Sequence, residues 1–169
     1  MKKLKFKSPS RQGFTIIEVV LVLAIAGLIF LMVFIALPAL QRNQRDAQRR
    51  QDMSRLKDAI ERYKVNNRGQ LPVFSSVDNN IMELQFARSY LQVNKGEFKD
   101  PSGKDYMIRS HPNSRSGFIS GSDPISFDLR IYIFTEAKCN GSRLENTDGS
   151  NRYTIQLRLE GGGVYCIDG

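Results

Sequence analysis

The chain has 169 residues, enough for one small domain and an additional element, and its 25 basic and 17 acidic residues give a net charge of +8. The charge is unevenly distributed. Residues 1–13 carry five basic residues and no acid, residues 42–68 carry nine basic and four acidic residues, and residues 69–169 are nearly neutral. This distribution excludes a strongly basic nucleic-acid-binding domain as the description of the whole chain.

The first predicted element is a long apolar helix. Residues 19–41 contain no charged side chain, and as a helix of about 33 Å they would cross the hydrocarbon core of a bilayer. The basic residues of 1–13 favour a cytoplasmic N-terminus, although four arginines between positions 42 and 50 nearly balance them. The two cysteines of the C-terminal third decide the orientation, because they favour an oxidising compartment outside the cytoplasm.

One carboxylate, Glu18, lies at the start of this apolar segment, and two familiar kinds of segment explain it poorly. A cleaved signal peptide has an apolar core of about 7–15 residues and a small-residue cleavage site. Here the core is longer, and residues 36–39 make a poor site. A plain membrane anchor does not explain Glu18. Inserting a carboxylate costs about 2.5–3.5 kcal/mol at the bilayer centre and less near its edge.

A third interpretation uses the junction before the carboxylate. Cleavage between Gly13 and Phe14 would give Phe14 a new amino terminus, with Glu18 four residues further along the helix. A buried carboxylate is tolerated when it is paired. An α-ammonium group of a neighbouring chain about 4 Å away would attract it by roughly 4 kcal/mol at an effective dielectric constant near 20. On this interpretation Glu18 is satisfied only in an assembly.

The Lys-rich leader, the Gly13-Phe-Thr-Ile-Ile-Glu18 sequence and the long apolar run resemble the prepilin signature. That family comprises the type IV pilins and the pseudopilins of type II secretion. The resemblance is specific as far as about residue 72 and looser beyond it. It implies that prepilin peptidase removes residues 1–13 as a leader, that Phe14 is N-methylated, and that Glu18 pairs with the terminal amine of an adjacent subunit.

The resemblance also implies the partners and the location. The partners would be prepilin peptidase, other copies of the chain in a helical filament, minor pilins, the membrane assembly platform and inner-membrane lipids before assembly. The precursor would span the cytoplasmic membrane once, with its C-terminus outside, and the assembled form would be a cell-surface filament. No cofactor and no catalytic activity are implied.

Residues 14–41 are predicted to form the transmembrane and assembly helix, and residues 42–68 its amphipathic continuation. Pro38 predicts either a break or a simple bend, because proline removes one helical hydrogen bond. Family filaments loosen the helix in this neighbourhood. Asn66, Asn67 and Gly69 predict its end. The apolar stripe predicted to face the globular part comprises Leu40, Ala47, Met53, Leu56, Ile60 and Tyr63.

The basic side chains of residues 42–68 have two interpretations. A solvated helix face near the membrane is favoured over contact with DNA, since four acids interrupt the basic residues and no aromatic stacking platform accompanies them.

Residues 69–169 are predicted to form a globular head, and the whole chain an α+β pilin fold with a small antiparallel sheet. A short helix is expected over residues 81–91, followed by the turn Asp100-Pro-Ser-Gly103. Residues 127–133 alternate as a strand does, and residues 153–159 form a hairpin with residues 164–167 across three glycines. The expected sheet has three or four strands.

Cys139 and Cys166 are either a disulfide or two buried thiols. Export favours the disulfide, which would fasten the loop 140–152 to the sheet. A disulfide-bounded C-terminal loop resembles that of type IV pilins and favours a pilin over a pseudopilin.

The sequence offers little that would support catalysis or metal binding. His111 is the only histidine, and a surface position is the preferred interpretation of it. Loop acids have no recognisable order of calcium ligands, so no metal site is predicted; the acids considered are Asp123, Asp128, Glu145, Asp148 and Asp168.

The predicted function is therefore that of a structural subunit of a type IV pilus, serving adhesion, twitching motility or DNA uptake by implication from the family. The alternatives are a pseudopilin of a type II secretion system and a single-pass membrane-anchored binding module.

Overall fold

The computed structural model describes residues 13–74, 79–112, 129–147, 149 and 151–169. The chain divides into two compact units, one before and one after the bond between Leu40 and Gln41. One helix, α1, begins at Ile16 in the first unit and ends at Asn66 in the second.

The described part of the first unit is residues 13–15 and the apolar beginning of α1. Its large apolar side chains are exposed in the single chain, among them Phe14 at 90% and Phe34 at 74%. By length and composition α1 can cross a membrane, and none of its most apolar window is buried within the chain. An exposed apolar surface of this extent marks contact with lipid or with another protein.

The helix continues through Pro38, so the proline does not end α1 in this structure. A proline removes one hydrogen bond from a helix, and the bonds on either side of it can hold the chain in helical form. The loosening predicted at Pro38 concerns the assembled filament and stays a prediction.

In the second unit, α1 contributes one apolar stripe to the core. Met53, Leu56 and Ile60 are fully buried and recur at the spacing of a helix face. The helix ends as predicted, because Gly69 adopts a φ of 80° and its N–H donates to the carbonyl oxygen of Lys64 at 2.8 Å.

Among the described residues, five strands form one sheet in the order β1-β2-β3-β6-β7. A separate pair, β4 and β5, forms a hairpin. The strands are β1 Asn79–Asn80, β2 Met107–Pro112, β3 Arg130–Thr135, β4 Ala137–Asn140, β5 Arg143–Asn146, β6 Tyr153–Arg158 and β7 Val164–Asp168.

The predicted α+β fold is confirmed, with two corrections to the sheet. The sheet has five strands, where three or four were expected. Strand β1 was not predicted because it contains only two residues and gives no alternation pattern. In addition, β2 pairs with β3 in parallel, whereas the other pairings are antiparallel. Alternation shows which residues share a face, but it does not show the direction of a neighbouring strand.

The inner face of the sheet supplies the other half of the core. Ile131 and Ile133 of β3 lie opposite Leu157 and Ile155 of β6, and all four are buried. The predicted hairpin of β6 and β7 is confirmed. The strand predicted over residues 127–133 is displaced to β3, with residues 127 and 128 outside the described residues.

Short helices lie between β1 and β2 in the sequence. A 3-10 turn spans Ile81–Glu83, helix α2 spans Gln85–Tyr90, and a second 3-10 turn spans Val93–Lys95. Together they replace the single short helix predicted over residues 81–91.

A disulfide joins Cys139 of β4 to Cys166 of β7, with the Cα atoms 5.9 Å apart. It holds the β4–β5 hairpin against the edge strand of the sheet. Residues 140–152 were expected to form a loop, but they include strand β5.

We expect Cys139→Ser to lower the free energy of unfolding of the second unit by about 3–4 kcal/mol, because the 27-residue separation defines a long closed loop. Near-UV circular dichroism of the full chain in detergent micelles would follow the melt. Wild-type protein treated with a reductant is the control and should approach the variant. Equal melting temperatures under oxidising conditions would remove the disulfide from this account.

Candidate functional site

The junction between Gly13 and Phe14 is exposed and lies outside the helix. Helix α1 begins two residues after Phe14, and both residues of the junction are exposed. A peptidase requires a backbone segment that it can bind in extended form, and an unwound segment at the end of a helix provides one.

Thr15 and Glu18 form a capping box at the start of α1. The Glu18 Oε2 atom accepts hydrogen bonds from the Thr15 backbone N–H at 2.9 Å and from the Thr15 hydroxyl at 2.8 Å. The Glu18 N–H in turn donates to Thr15 Oγ1 at 3.4 Å. The T-x-x-E spacing was the signal for this cap, and the sequence analysis did not use it.

The capping box explains an oxygen acceptor at position 18, but not a negative charge there. Glutamine serves in a capping box as glutamate does, and it is cheaper to place beside lipid because it is neutral. A structural reason limited to the cap would therefore allow glutamine at this position. The positive end of the helix dipole favours a negative charge in the first turn of α1 by about 0.3–1 kcal/mol, and a counter-ion from another chain would add a second favourable interaction.

A second group of interacting side chains, which we name the Arg49 cluster, lies in the second unit. It comprises Arg45, Asp46, Arg49, Asp100 and Glu160. The Arg49 guanidinium is buried and contacts Asp100 Oδ1 at 2.6 Å, Asp46 Oδ1 at 2.9 Å and Glu160 Oε2 at 3.2 Å. Arg45 donates a pair of hydrogen bonds to the Glu160 carboxylate.

The Arg49 cluster joins three segments that are distant in the sequence. Asp46 accepts hydrogen bonds from the backbone N–H groups of Glu160 and Gly161, at 2.8 and 2.7 Å, in the turn between β6 and β7. Asp100 belongs to the turn before β2 and also accepts the Ser102 N–H at 2.8 Å. Helix α1 is thus bonded to both turns by charged groups.

This cluster corrects the interpretation of the basic helix segment as a wholly solvated face. Asp46, Arg49 and Asp52 are buried, whereas Leu40 and Ala47 of the predicted stripe are exposed. The buried positions continue the spacing of Met53 and Leu56 toward the N-terminus. Hydrophobicity patterns overlook such residues because they assign charged side chains to the solvent.

Comparison with known proteins gives one finding for the N-terminal segment. Residues 8–34 match the family model described as the prokaryotic N-terminal methylation motif. This motif marks the type IV pilin and pseudopilin family. No curated protein and no solved structure gave a match.

The matched motif bears directly on processing, assembly and location. The motif implies processing by prepilin peptidase and assembly into filaments, and it points to a structural protein rather than an enzyme. The apolar beginning of α1 fits a membrane-anchored precursor. Both residues of the proposed cleavage junction and the Thr15–Glu18 capping box lie within the matched residues.

The Arg49 cluster shifts the pKa values of its own carboxylates. The hydrogen bonds from Arg45, with those from Arg49, lower the pKa of Glu160 to about 2. Burial opposes ionisation of Asp100, yet the hydrogen bonds from Arg49 and Ser102 lower its pKa below the ordinary value. Both carboxylates are therefore held in the charged form.

Asp52 and Tyr106, which lie next to the Arg49 cluster, have raised pKa values. Burial raises the pKa of Asp52, although the Tyr106 hydroxyl donates to its Oδ2 at 2.9 Å and Arg55 lies at 3.6 Å. Burial beside this carboxylate also raises the pKa of Tyr106. The hydroxyl therefore remains a donor at neutral pH.

The residues considered for catalysis or metal binding are dispersed. His111 is half-buried and stacks against Phe134, with ring centroids 5.6 Å apart. Glu145 pairs with Lys138 at 3.1 Å, and Asp168 accepts the Cys139 N–H. Asp123, Asp128 and Asp148 lie outside the described residues. Within the described ranges, no group of three or more His, Cys, Asp or Glu side chains could hold a metal ion.

The stability of the second unit should depend on pH through Glu160. Because folding lowers its pKa, its contribution is complete above the ordinary value near 4.5 and is lost as the pH falls toward about 2. Glu160→Gln should therefore lower the melting temperature at pH 7, and the difference from wild type should shrink as the pH falls from about 4.5 toward about 2.

The matched control is Glu97→Gln, since the Glu97 side chain is 57% exposed and lies 4.0 Å from Arg55. Its melting temperature should differ little from wild type at every pH. A Glu160→Gln difference that is the same at both ends of the pH range would contradict the assignment.

Proposed function

We propose that this chain is a structural subunit of a type IV pilus. It is cleaved after Gly13, N-methylated at Phe14, and polymerises through residues 14–41. The observation that carries the proposal is a single carboxylate, Glu18, at the start of an uncharged helix segment and within a methylation motif. The domain division follows: leader 1–13, assembly helix 14–41, amphipathic helix 42–68 and head 69–169.

The apolar segment would pass from lipid into a bundle of copies during assembly, and this transfer determines which interactions drive polymerisation. Before assembly, its exposed side chains would be covered by lipid in the cytoplasmic membrane, with the head outside. Lipid tails are as apolar as leucine, so moving these side chains from lipid into a bundle of copies gains little hydrophobic free energy. Close packing and polar pairing must therefore drive assembly, and Glu18 supplies the polar group.

The attraction between Glu18 and an ammonium group is comparable with the cost of placing the carboxylate in the membrane. An unpaired carboxylate costs about 2.5–3.5 kcal/mol at the bilayer centre and less near its edge, where Glu18 would lie. An ammonium group about 4 Å away returns roughly 4 kcal/mol at an effective dielectric constant near 20. The amine of Phe14 exists only after cleavage, so an uncleaved chain cannot provide this counter-ion. Processing would thereby control assembly.

The C-terminal part supports a pilus rather than a pseudopilus. The bonded pair Cys139–Cys166 encloses β5, β6 and the connection between them, and a disulfide-bounded region of this kind resembles that of type IV pilins. Minor pilins and the membrane assembly platform would be further partners, and adhesion, twitching motility or DNA uptake the tasks of the fibre. A retraction motor encoded beside the gene would support this proposal, whereas a secretin with secretion partners would favour a pseudopilin.

We expect the mature protein to begin with N-methylated Phe14, and Gly13→Leu to block this processing because a bulky side chain replaces the hydrogen atom at the cleaved junction. Mass spectrometry of the N-terminal peptide from purified membranes would measure it. Gly27→Ala is a suitable control, since nothing lies within 4 Å of a methyl group there. A mature wild-type chain that retains its Lys-rich leader would refute the proposed processing.

We expect Glu18→Gln to reduce filament yield more than tenfold, the equivalent of about 1.4 kcal/mol, while the helical content in micelles is unchanged. Glutamine keeps the capping box and removes the charge. The complementary variant, Thr15→Val, removes the hydroxyl acceptor and keeps the charge, and it should reduce the yield less. Yields of sheared filaments relative to the mature membrane pool would be compared. The reverse order of the two effects would assign Glu18 to capping alone.

A further inference from the structure

A cleft of about 470 Å³ lies in the second unit at the C-terminal end of α1. Its walls come from the last turn of α1 and the residue after it, from Pro72 and Val73, and from α2 with the residue before it. Protein interiors are close-packed, and voids larger than a water molecule are few. A concave opening of this size lies instead in the range of sites that bind small molecules, about 300–1,000 Å³.

Three aromatic side chains line this cleft. The ring of Tyr63 meets those of Phe86 and Tyr90 edge-on, with ring centroids 5.6 and 5.5 Å apart, and the rings of Phe86 and Tyr90 stack at 5.7 Å. Tyr63 and Tyr90 are half-buried, so part of each side chain stays open to solvent. The face of an aromatic ring is electron-rich and attracts groups with partial positive charge. The C–H groups on one face of a sugar ring are groups of this kind.

Three polar side chains also line the cleft: Asn67, Gln85 and Ser89. The Asn67 Nδ2 atom donates to the Tyr63 carbonyl oxygen at 2.8 Å, which leaves the Asn67 Oδ1 atom as an acceptor. The Asn66 Nδ2 atom donates to the Tyr90 hydroxyl oxygen at 3.1 Å, so that the hydroxyl hydrogen can be donated elsewhere. Gln85 and Ser89 are exposed. The cleft therefore offers both donors and acceptors beside its aromatic rings.

None of the described residues that line the cleft is charged, although 25% of the residues in the chain are. A neighbouring cleft, which shares Tyr90, has a charged lining that includes Arg55, Asp58, Arg62 and Glu97. The uncharged lining is therefore a property of this cleft and not of the surface around it. Ligands with phosphate or carboxylate groups are held by basic side chains, so the composition of this cleft favours a neutral ligand.

We propose that the cleft between the end of α1 and α2 binds a neutral saccharide. One face of the sugar ring lies against the aromatic side chains, and its hydroxyl groups exchange hydrogen bonds with Asn67, Gln85 and Ser89. Sugar hydroxyls both donate and accept, as amide and hydroxyl side chains do. A proline-rich peptide also packs on aromatic side chains, but proline has no N–H to donate to the Asn67 Oδ1 atom.

The binding of a saccharide rests on the lining of the cleft alone. Its use, which would be attachment of the filament to a glycosylated surface, rests on the proposed pilus function. The two statements are tested separately, the first on the chain in micelles and the second on filaments.

Saturation-transfer difference NMR of the full chain tests the binding. The micelles should be made of a polyoxyethylene detergent, which has no sugar headgroup, and the probes are the methyl glycosides of glucose, galactose and N-acetylglucosamine at millimolar concentration. At least one probe should receive saturation from the protein, most strongly at the ring C–H protons of one face. Absence of saturation transfer to all three probes would overturn the proposal.

Variants of the lining residues assign the binding to this cleft. Tyr63→Leu keeps an apolar side chain and removes the ring, and it should weaken binding about tenfold. Gln85→Ala and Ser89→Ala change exposed side chains, so the fold should be retained while each weakens binding about fivefold, as the loss of one neutral hydrogen bond implies. The matched control is Gln51→Ala, because Gln51 is exposed on α1 and does not line the cleft.

Two results would contradict the assignment. If Tyr63→Leu unfolds the second unit, the two exposed variants decide, and wild-type affinity in both Gln85→Ala and Ser89→Ala would place the sugar elsewhere. A decaproline peptide that binds in the same experiment, where the glycosides do not, would assign the cleft to an extended peptide.

Retention of sheared filaments on polystyrene beads that carry the bound glycoside tests its use in attachment. Wild-type filaments should be retained, and Gln85→Ala filaments should be retained less. Wild-type filaments that pass the beads, although the chain in micelles binds the sugar, would refute attachment through this cleft. Absence of filaments from wild-type cells would count against the proposed function and leave the micelle result intact.

Discussion

The negative charge of Glu18 is the constraint on which the rest of the account depends. It lies at the start of 23 uncharged residues, where a neutral side chain would be cheaper in lipid. The Thr15–Glu18 capping box uses one oxygen atom of this carboxylate, Oε2, and glutamine could supply such an acceptor without the charge. We propose that this charge, which is costly in the single chain, is useful beside the amino terminus of another copy.

The two units satisfy their buried and apolar groups in different ways. In the first, the apolar side chains find no cover among the described residues, which fits contact with lipid or other copies. In the second, α1 is held by a fully buried apolar stripe and by the charges around Arg49. A buried ion pair contributes less stability than apolar packing does. It offsets its desolvation cost only when its partners are accurately placed. The Arg49 cluster therefore fixes where α1 lies against the turns at Asp100 and Glu160.

Sequence reasoning was most successful where one local signal sufficed. The prepilin signature, the end of α1 near Gly69 and the β6–β7 hairpin each follow from neighbouring residues. It was weaker where distant segments decide. The parallel pairing of β2 with β3 has no signature in either strand, and burial of Arg49 depends on Asp100 and Glu160, more than 50 residues away. The Thr15–Glu18 capping box, by contrast, was local and could have been predicted from its spacing.

Electron cryomicroscopy of sheared surface filaments, at a resolution that shows side chains, tests the central claim most directly. Mass spectrometry of the same preparation would identify this chain as the subunit. The account predicts that the Phe14 amine of one copy lies within about 4 Å of the Glu18 carboxylate of another, the usual limit of an ion pair. A filament in which Glu18 contacts only Thr15 of its own chain would contradict it.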